Sequence, residues 1–136
     1  MTRTLSIAIA ALAGLAAPLS ASAQADGPGL TKGEQELAEL LEGRAPGEPV
    51  NCLTRRGNTE RMNVIDGTAL VFGRGDTIYV NIPDHPRTLD DSDIVVTKSY
   101  STRLCRTDIV NTIDRTVGFY TGNIMLNEFV PYTRVD

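Results

Sequence analysis

The stretch Met62-Asn63-Val64-Ile65-Asp66-Gly67-Thr68-Ala69-Leu70-Val71-Phe72-Gly73-Arg74-Gly75-Asp76-Thr77-Ile78-Tyr79-Val80-Asn81-Ile82-Pro83 contains three short runs of β-forming residues parted by two turn signals. Asp66-Gly67 ends the first run, Met62–Ile65, and Gly73-Arg74-Gly75-Asp76 separates Thr68–Phe72 from Thr77–Pro83. Glycine and aspartate between apolar runs of this length are a hairpin signal. In the last run Ile78, Val80 and Ile82 alternate with Tyr79 and Asn81, so one face is expected to be buried. The Arg74-Gly75-Asp76 tripeptide, which spells a cell-adhesion motif, is accounted for as the tip of this hairpin.

The same texture continues on both sides. Val50–Thr54, with Cys52, precedes the quoted stretch, and Ile94–Tyr100, Leu104–Ile113 and Asn123–Tyr132 follow it. Ile94 and Val96 are expected to face one way and Val95 the other. Six or seven short strands predict a mainly β fold, a small antiparallel barrel or sandwich. One short N-terminal helix is expected before it. Thr31-Lys32-Gly33-Glu34 has the form of a capping box, Leu37, Leu40 and Leu41 share a face, and Gly43 is a natural stop. A helix this short must dock on something to persist. Ala45-Pro46-Gly47-Glu48-Pro49 reads as a linker. The expected organisation is therefore a cleavable leader over residues 1–23, a loose terminus, helix and linker over 24–49, and a β-rich domain over 50–136.

The leader has a charged start at Arg3, an apolar stretch from Leu5 to Leu19, and small residues at Ala21-Ser22-Ala23. These are the three parts of a secretory signal. The stretch is about 15 residues, short of the roughly 20 of a spanning helix, so a retained membrane span is not expected after cleavage. Removing 23 residues from 136 leaves 113, enough for one small domain. Without Arg3 there are 12 Lys and Arg against 17 Asp and Glu, a formal charge of −5. That balance argues against nucleic acid as a partner, because such binding relies on a basic face. In an oxidising compartment, periplasmic or secreted, Cys52 and Cys105 are expected to form a disulfide across 53 positions.

Candidate sites are few. Arg55, Arg56 and Arg61 lie close in sequence and form a candidate anion-binding group, since guanidinium forks suit carboxylate and phosphate; the alternative is pairing with neighbours such as Glu60. Asp90, Asp91 and Asp93 form the densest acidic group and are the candidate metal ligands. They do not make an EF-hand: with Asp91 and Asp93 as loop positions one and three, Val96 stands where Gly is needed and Thr102 where Glu is needed. The bland alternative is a polar turn leading into the strand at Ile94. A catalytic constellation is not evident. The one histidine, His85, sits in Pro83-Asp84-His85-Pro86, no G-x-S-x-G elbow occurs, and only folding could pair carboxylates such as Asp66 and Asp108 for acid–base work. No cofactor is expected.

Cys52-Leu53-Thr54-Arg55-Arg56, Val64-Ile65-Asp66-Gly67-Thr68 and Ile78-Tyr79-Val80-Asn81, followed by Leu104-Cys105-Arg106-Thr107-Asp108-Ile109-Val110, Asp114, Gly118 and Phe129-Val130-Pro131-Tyr132, form an ordered series. It resembles a group of small exported proteobacterial proteins classed as a domain of unknown function. The resemblance spans Val50 to Tyr132 and implies a Gram-negative envelope setting and one compact unit. The expectation is thus an exported, non-catalytic envelope protein acting through an interaction surface on an envelope partner, the alternative being a domain that binds a small ligand or a divalent cation.

Overall fold

The structure, a computed structural model, describes residues 29–55 and 61–136. The expected leader and Arg56 lie outside the described residues. Helix α1 (Lys32–Leu41) begins at a capping box in which the Thr31 hydroxyl accepts the Glu34 N–H at 3.2 Å and the Glu34 carboxylate accepts the Thr31 N–H at 2.7 Å. It ends at Glu42, followed by Gly43 at φ 70°. That left-handed conformation is one glycine adopts without a Cβ clash.

Ten strands are found among the described residues: β1 (Arg44–Pro46), β2 (Cys52–Thr54), β3 (Met62–Ile65), β4 (Ala69–Phe72), β5 (Thr77–Asn81), β6 (Asp93–Lys98), β7 (Arg103–Cys105), β8 (Ile109–Asp114), β9 (Tyr120–Ile124) and β10 (Val130–Arg134). They form three antiparallel sheets, ordered β1-β10-β5-β4-β3, β2-β7 and β6-β8-β9. The fold is mainly β with a helix in front, as expected, but the strands exceed six or seven and do not close into a barrel. Two local causes account for the higher number. The expected run Leu104–Ile113 breaks into β7 and β8, in different sheets, because Asp108 closes a turn on Cys105: the Cys105 N–H donates to Asp108 Oδ2 at 2.8 Å and the Asp108 N–H to the Cys105 carbonyl at 2.9 Å. The expected linker supplies β1, whose Ala45 and Pro46 lie opposite Thr133 and Tyr132, and the Gly47 N–H continues to the Pro131 carbonyl at 2.8 Å. Proline is accommodated there because β1 is an edge strand.

The quoted stretch forms three of the five strands of the large sheet, from β5 at its centre to β3 at one edge. β3, β4 and β5 are consecutive hairpin strands, with Val64 opposite Leu70 and Val71 opposite Val80. All four residues of β4 are buried, because successive side chains point to opposite faces and both faces are covered. On one side Ile65, Ala69, Val71, Ile78 and Val80 meet Leu37 and Leu41 of α1; Leu40, expected on the same apolar face, remains 39% exposed. On the other side Leu70 and Phe72 join Leu53, Leu104, Val110, Ile124 and Phe129 from the smaller sheets and the approach to β10. Phe72 and Phe129 meet edge to face at 5.5 Å, the geometry favoured by aromatic quadrupoles. In β5 both faces are covered, and Ile82, beyond the strand end, is 52% exposed and not part of the expected buried face.

Candidate functional site: an apolar surface on the three-stranded sheet

The sheet β6-β8-β9 has two unlike faces. Its inner face contributes Val95, Val110 and Ile124 to the core, along with the buried polar residues Asp93 and Thr112. The Thr121 hydroxyl donates to Asp93 Oδ2 at 2.6 Å and the Thr112 hydroxyl to the Gly122 carbonyl at 3.2 Å, so each buried polar group has a partner, as burial demands. The outer face carries an apolar row running across the strands. Ile94 stands opposite Ile113, and Ile113 opposite Tyr120. A shift of register between Thr112 and Ile113 inserts an extra residue in β9, as a bulge does. It aims Tyr120 outward while Thr121 serves Asp93 within.

The β8–β9 connection extends this row. Asp114 Oδ1 accepts the Thr116 and Val117 N–H groups at 2.7 and 2.9 Å. The Gly118 N–H donates to the Asp114 carbonyl at 2.9 Å, the Asp114 N–H to the Phe119 carbonyl at 2.8 Å, and Gly118 has φ 74°. A side-chain carboxylate that receives two backbone donors stabilises a turn at the expense of other conformations. The result is a well-fastened turn whose apolar side chains are outside: Val117, Phe119 and Tyr120 are 59%, 73% and 61% exposed. Single exposed apolar residues are ordinary, whereas large contiguous apolar patches are uncommon on monomeric proteins. The sequence reading missed this group. The available signal was an Asp114-to-Gly118 turn followed directly by two aromatic residues in a chain that has few.

The residues expected from sequence fall as follows. Cys52 and Cys105 are disulfide-bonded, facing each other across β2 and β7. Arg55 is exposed and its N–H donates to the Thr102 carbonyl at 3.0 Å, whereas Arg61 lies beside the β4–β5 hairpin, its carbonyl accepting the Gly73 N–H at 2.9 Å. The acidic group is regrouped by folding. Asp93 is turned inward to Thr121, and the carboxylates that converge are Asp66, Asp90 and Asp91, all exposed, with oxygens within 4.8 Å of one another. The Gly67 N–H joins the Leu89 carbonyl at 3.0 Å and brings these two turns together. Asp90 Oδ1 also accepts the Ser92 hydroxyl at 2.6 Å and the Ser92 N–H at 2.8 Å; these bonds, the hydroxyl's foremost, hold the Asp90 carboxyl below its ordinary range. Asp66 and Asp108 serve different turns. His85 is exposed, and its carbonyl accepts the Thr88 N–H at 3.1 Å and the Thr88 hydroxyl at 2.7 Å.

Comparison with protein-family models, curated proteins and solved structures found no match to this chain. Among the described residues no helix is long and apolar enough to cross a membrane.

Proposed function

We propose that this chain is an exported, non-catalytic domain of the cell envelope, periplasmic or secreted, that docks a partner protein on the outer face of β6-β8-β9 and the adjoining turn. The observation that supports it is the construction of that turn: four hydrogen bonds hold the backbone around Asp114 while Val117, Phe119 and Tyr120 remain in solvent. Order that buries nothing within the molecule suits presentation to another one, since a rigid apolar anchor loses little conformational entropy on binding. The leader-like start of the sequence, the disulfide and the resemblance to exported proteobacterial proteins favour the envelope setting.

Photo-crosslinking tests this reading. A benzoyl-phenylalanine at position 119, in protein exported by its native host, is expected to give a discrete adduct that the same probe at exposed Arg87 does not. Asp114→Ala, which unfastens the turn, is expected to reduce the adduct. Equal labelling from both positions, or none from 119, would overturn the docking surface.

A second reading is favoured by the meeting of Asp66, Asp90 and Asp91: a divalent cation held by hard oxygen ligands. Calcium or manganese titrated into the protein should then shift the amide signals of the two turns, and silence there would remove it.

A further inference from the structure

A shallow cleft of about 250 Å³ lies between the end of α1 and the β4–β5 hairpin. Its charged lining is Arg44, Arg61 and Arg74, and among the described residues no carboxylate lines it. This is unusual placement in a chain with 17 Asp and Glu against 13 Lys and Arg. The cleft also has apolar walls, from Leu40, Val71 and Ile78.

The three arginines are held to different degrees. Arg44 is fixed: its guanidinium donates to the Asp76 carbonyl at 2.7 Å, the Gly75 carbonyl at 2.8 Å and, at 3.5 Å, the Tyr132 carbonyl. Carbonyl partners orient a guanidinium and leave its positive charge uncancelled. Arg61 and Arg74 are exposed, and among the described residues their side chains make no hydrogen bond or ion pair. Their backbones are nevertheless tied to one turn, because the Gly73 N–H donates to the Arg61 carbonyl and Arg74 follows Gly73. Gly73 and Gly75, at φ 85° and 90°, bend that turn around the cleft. Three cations thus line one cleft on backbone that is already ordered, and among the described residues no carboxylate lines it with them.

We propose that this cleft binds a phosphate monoester whose substituent is small and apolar. The dianionic group suits this lining better than a single carboxylate does: the exposed guanidiniums of Arg61 and Arg74 each offer a fork of paired N–H donors to phosphate oxygens, while Arg44, whose terminal nitrogens already donate to carbonyls, contributes its fixed positive charge. The aliphatic walls take the substituent. This site is independent of the apolar surface on β6-β8-β9. It shares one member with the group expected from sequence, Arg61, which is joined here by two arginines distant in the chain; Arg56 lies outside the described residues. Phosphate monoesters occur both as soluble metabolites and as lipid headgroups.

The test uses the full mature chain with arginine side-chain Nε–H signals observed by NMR. Butyl phosphate is expected to shift the signals of Arg44, Arg61 and Arg74 and to bind more tightly than inorganic phosphate. Arg61→Gln and Arg74→Gln should each weaken it about five- to tenfold, the loss expected for one charge-assisted contact. Arg87→Gln, outside the cleft, should leave it unchanged. Flotation with phosphatidylcholine vesicles, with and without phosphatidic acid, then separates the sources: retention on the acidic vesicles alone assigns a lipid headgroup, and binding of butyl phosphate without retention assigns a soluble ester. Absence of shifts at the three arginines, or equal weakening by Arg87→Gln, would overturn the site. Because the arginines tested are exposed, melting temperatures of the variants should match the parent, which keeps a loss of binding from being a loss of fold.

Discussion

Gly33 lies flush against Thr68: a Cβ atom at position 33 would overlap the Thr68 hydroxyl and the Asp66 carbonyl. The first turn of α1 therefore rests on the β3–β4 turn with no room for a methyl group. Replacing glycine by alanine inside a helix ordinarily stabilises it by up to about 1 kcal/mol. Here the sign should reverse, because overpacking against backbone costs about 1–3 kcal/mol. Urea denaturation of Gly33→Ala is expected to show a lowered midpoint. A raised midpoint would mean that the helix is not seated as described.

Asn81 is wholly buried and clamps the segment leading into β10. Its Nδ2 donates to the Asn127 carbonyl at 2.6 Å and the Glu128 carbonyl at 3.3 Å, and its Oδ1 accepts the Asn127 N–H at 3.3 Å. Asn81→Leu is close in size but strands those backbone groups, at about 1–3 kcal/mol for each buried orphan. The variant should melt well below the parent, while Asn127→Ala, at an exposed position, should cost less because Asn81 bonds chiefly to backbone atoms at 127 and 128. Comparable losses from both would show that the clamp works through the Asn127 side chain instead.

Cys52 and Cys105 close a loop of 53 positions, for which chain entropy gives at most about 4 kcal/mol of stabilisation. Cys52→Ser should lower the melting temperature, and thiol titration of the parent should find no free thiol before reduction. Because β2 and β7 have three residues each, their two-stranded sheet is held by a short ladder, the core burial of Leu53 and Leu104 and the disulfide. Amide exchange near Leu53 and Leu104 should quicken more than exchange in β4. Uniform acceleration would argue that the disulfide supports the whole fold evenly.

Local signals in the sequence were enough for the hairpins of the large sheet, the capping box and the pairing of the cysteines. Each depends on residues close in the chain or on a choice with one outcome. β1 was hidden because an edge strand tolerates Pro46, whose presence otherwise speaks against a strand. The regrouping of carboxylates was hidden for another reason: Asp66 meets Asp90 and Asp91 where the Gly67–Leu89 hydrogen bond joins two turns distant in the chain, a tertiary contact that spacing cannot reveal. Arg44, Arg61 and Arg74 likewise come together through sheet register. The outer row of exposed Ile94, half-buried Ile113 and exposed Tyr120 depended on a bulge, which reverses the facing of a residue that simple alternation would place inside.

The Ser92 bonds to Asp90 make a pH prediction. A carboxyl whose folded value is depressed contributes stability that is present above its unfolded value and is lost as pH falls through the folded one. In an NMR titration Asp90 should therefore ionise at lower pH than an ordinary aspartate, and Ser92→Ala should move its midpoint upward. With full exposure of Asp90 the effect on overall stability should be slight. A midpoint unchanged by Ser92→Ala would remove the hydroxyl as the cause.

β10 lies between β5 and β1 in the large sheet and gives Tyr132 to the surface on which α1 rests. The earliest described elements of the chain are thus completed by its latest strand. During synthesis or passage through a channel, α1 and β1 would emerge without β10, and a ten-residue helix is too short to persist alone in water. Assembly of that side of the molecule must wait for residues 130–134, and non-local closure of this kind slows folding. Under the export we propose, in which the chain would cross a membrane unfolded, such a delay would keep that side of the molecule from closing before transport is complete.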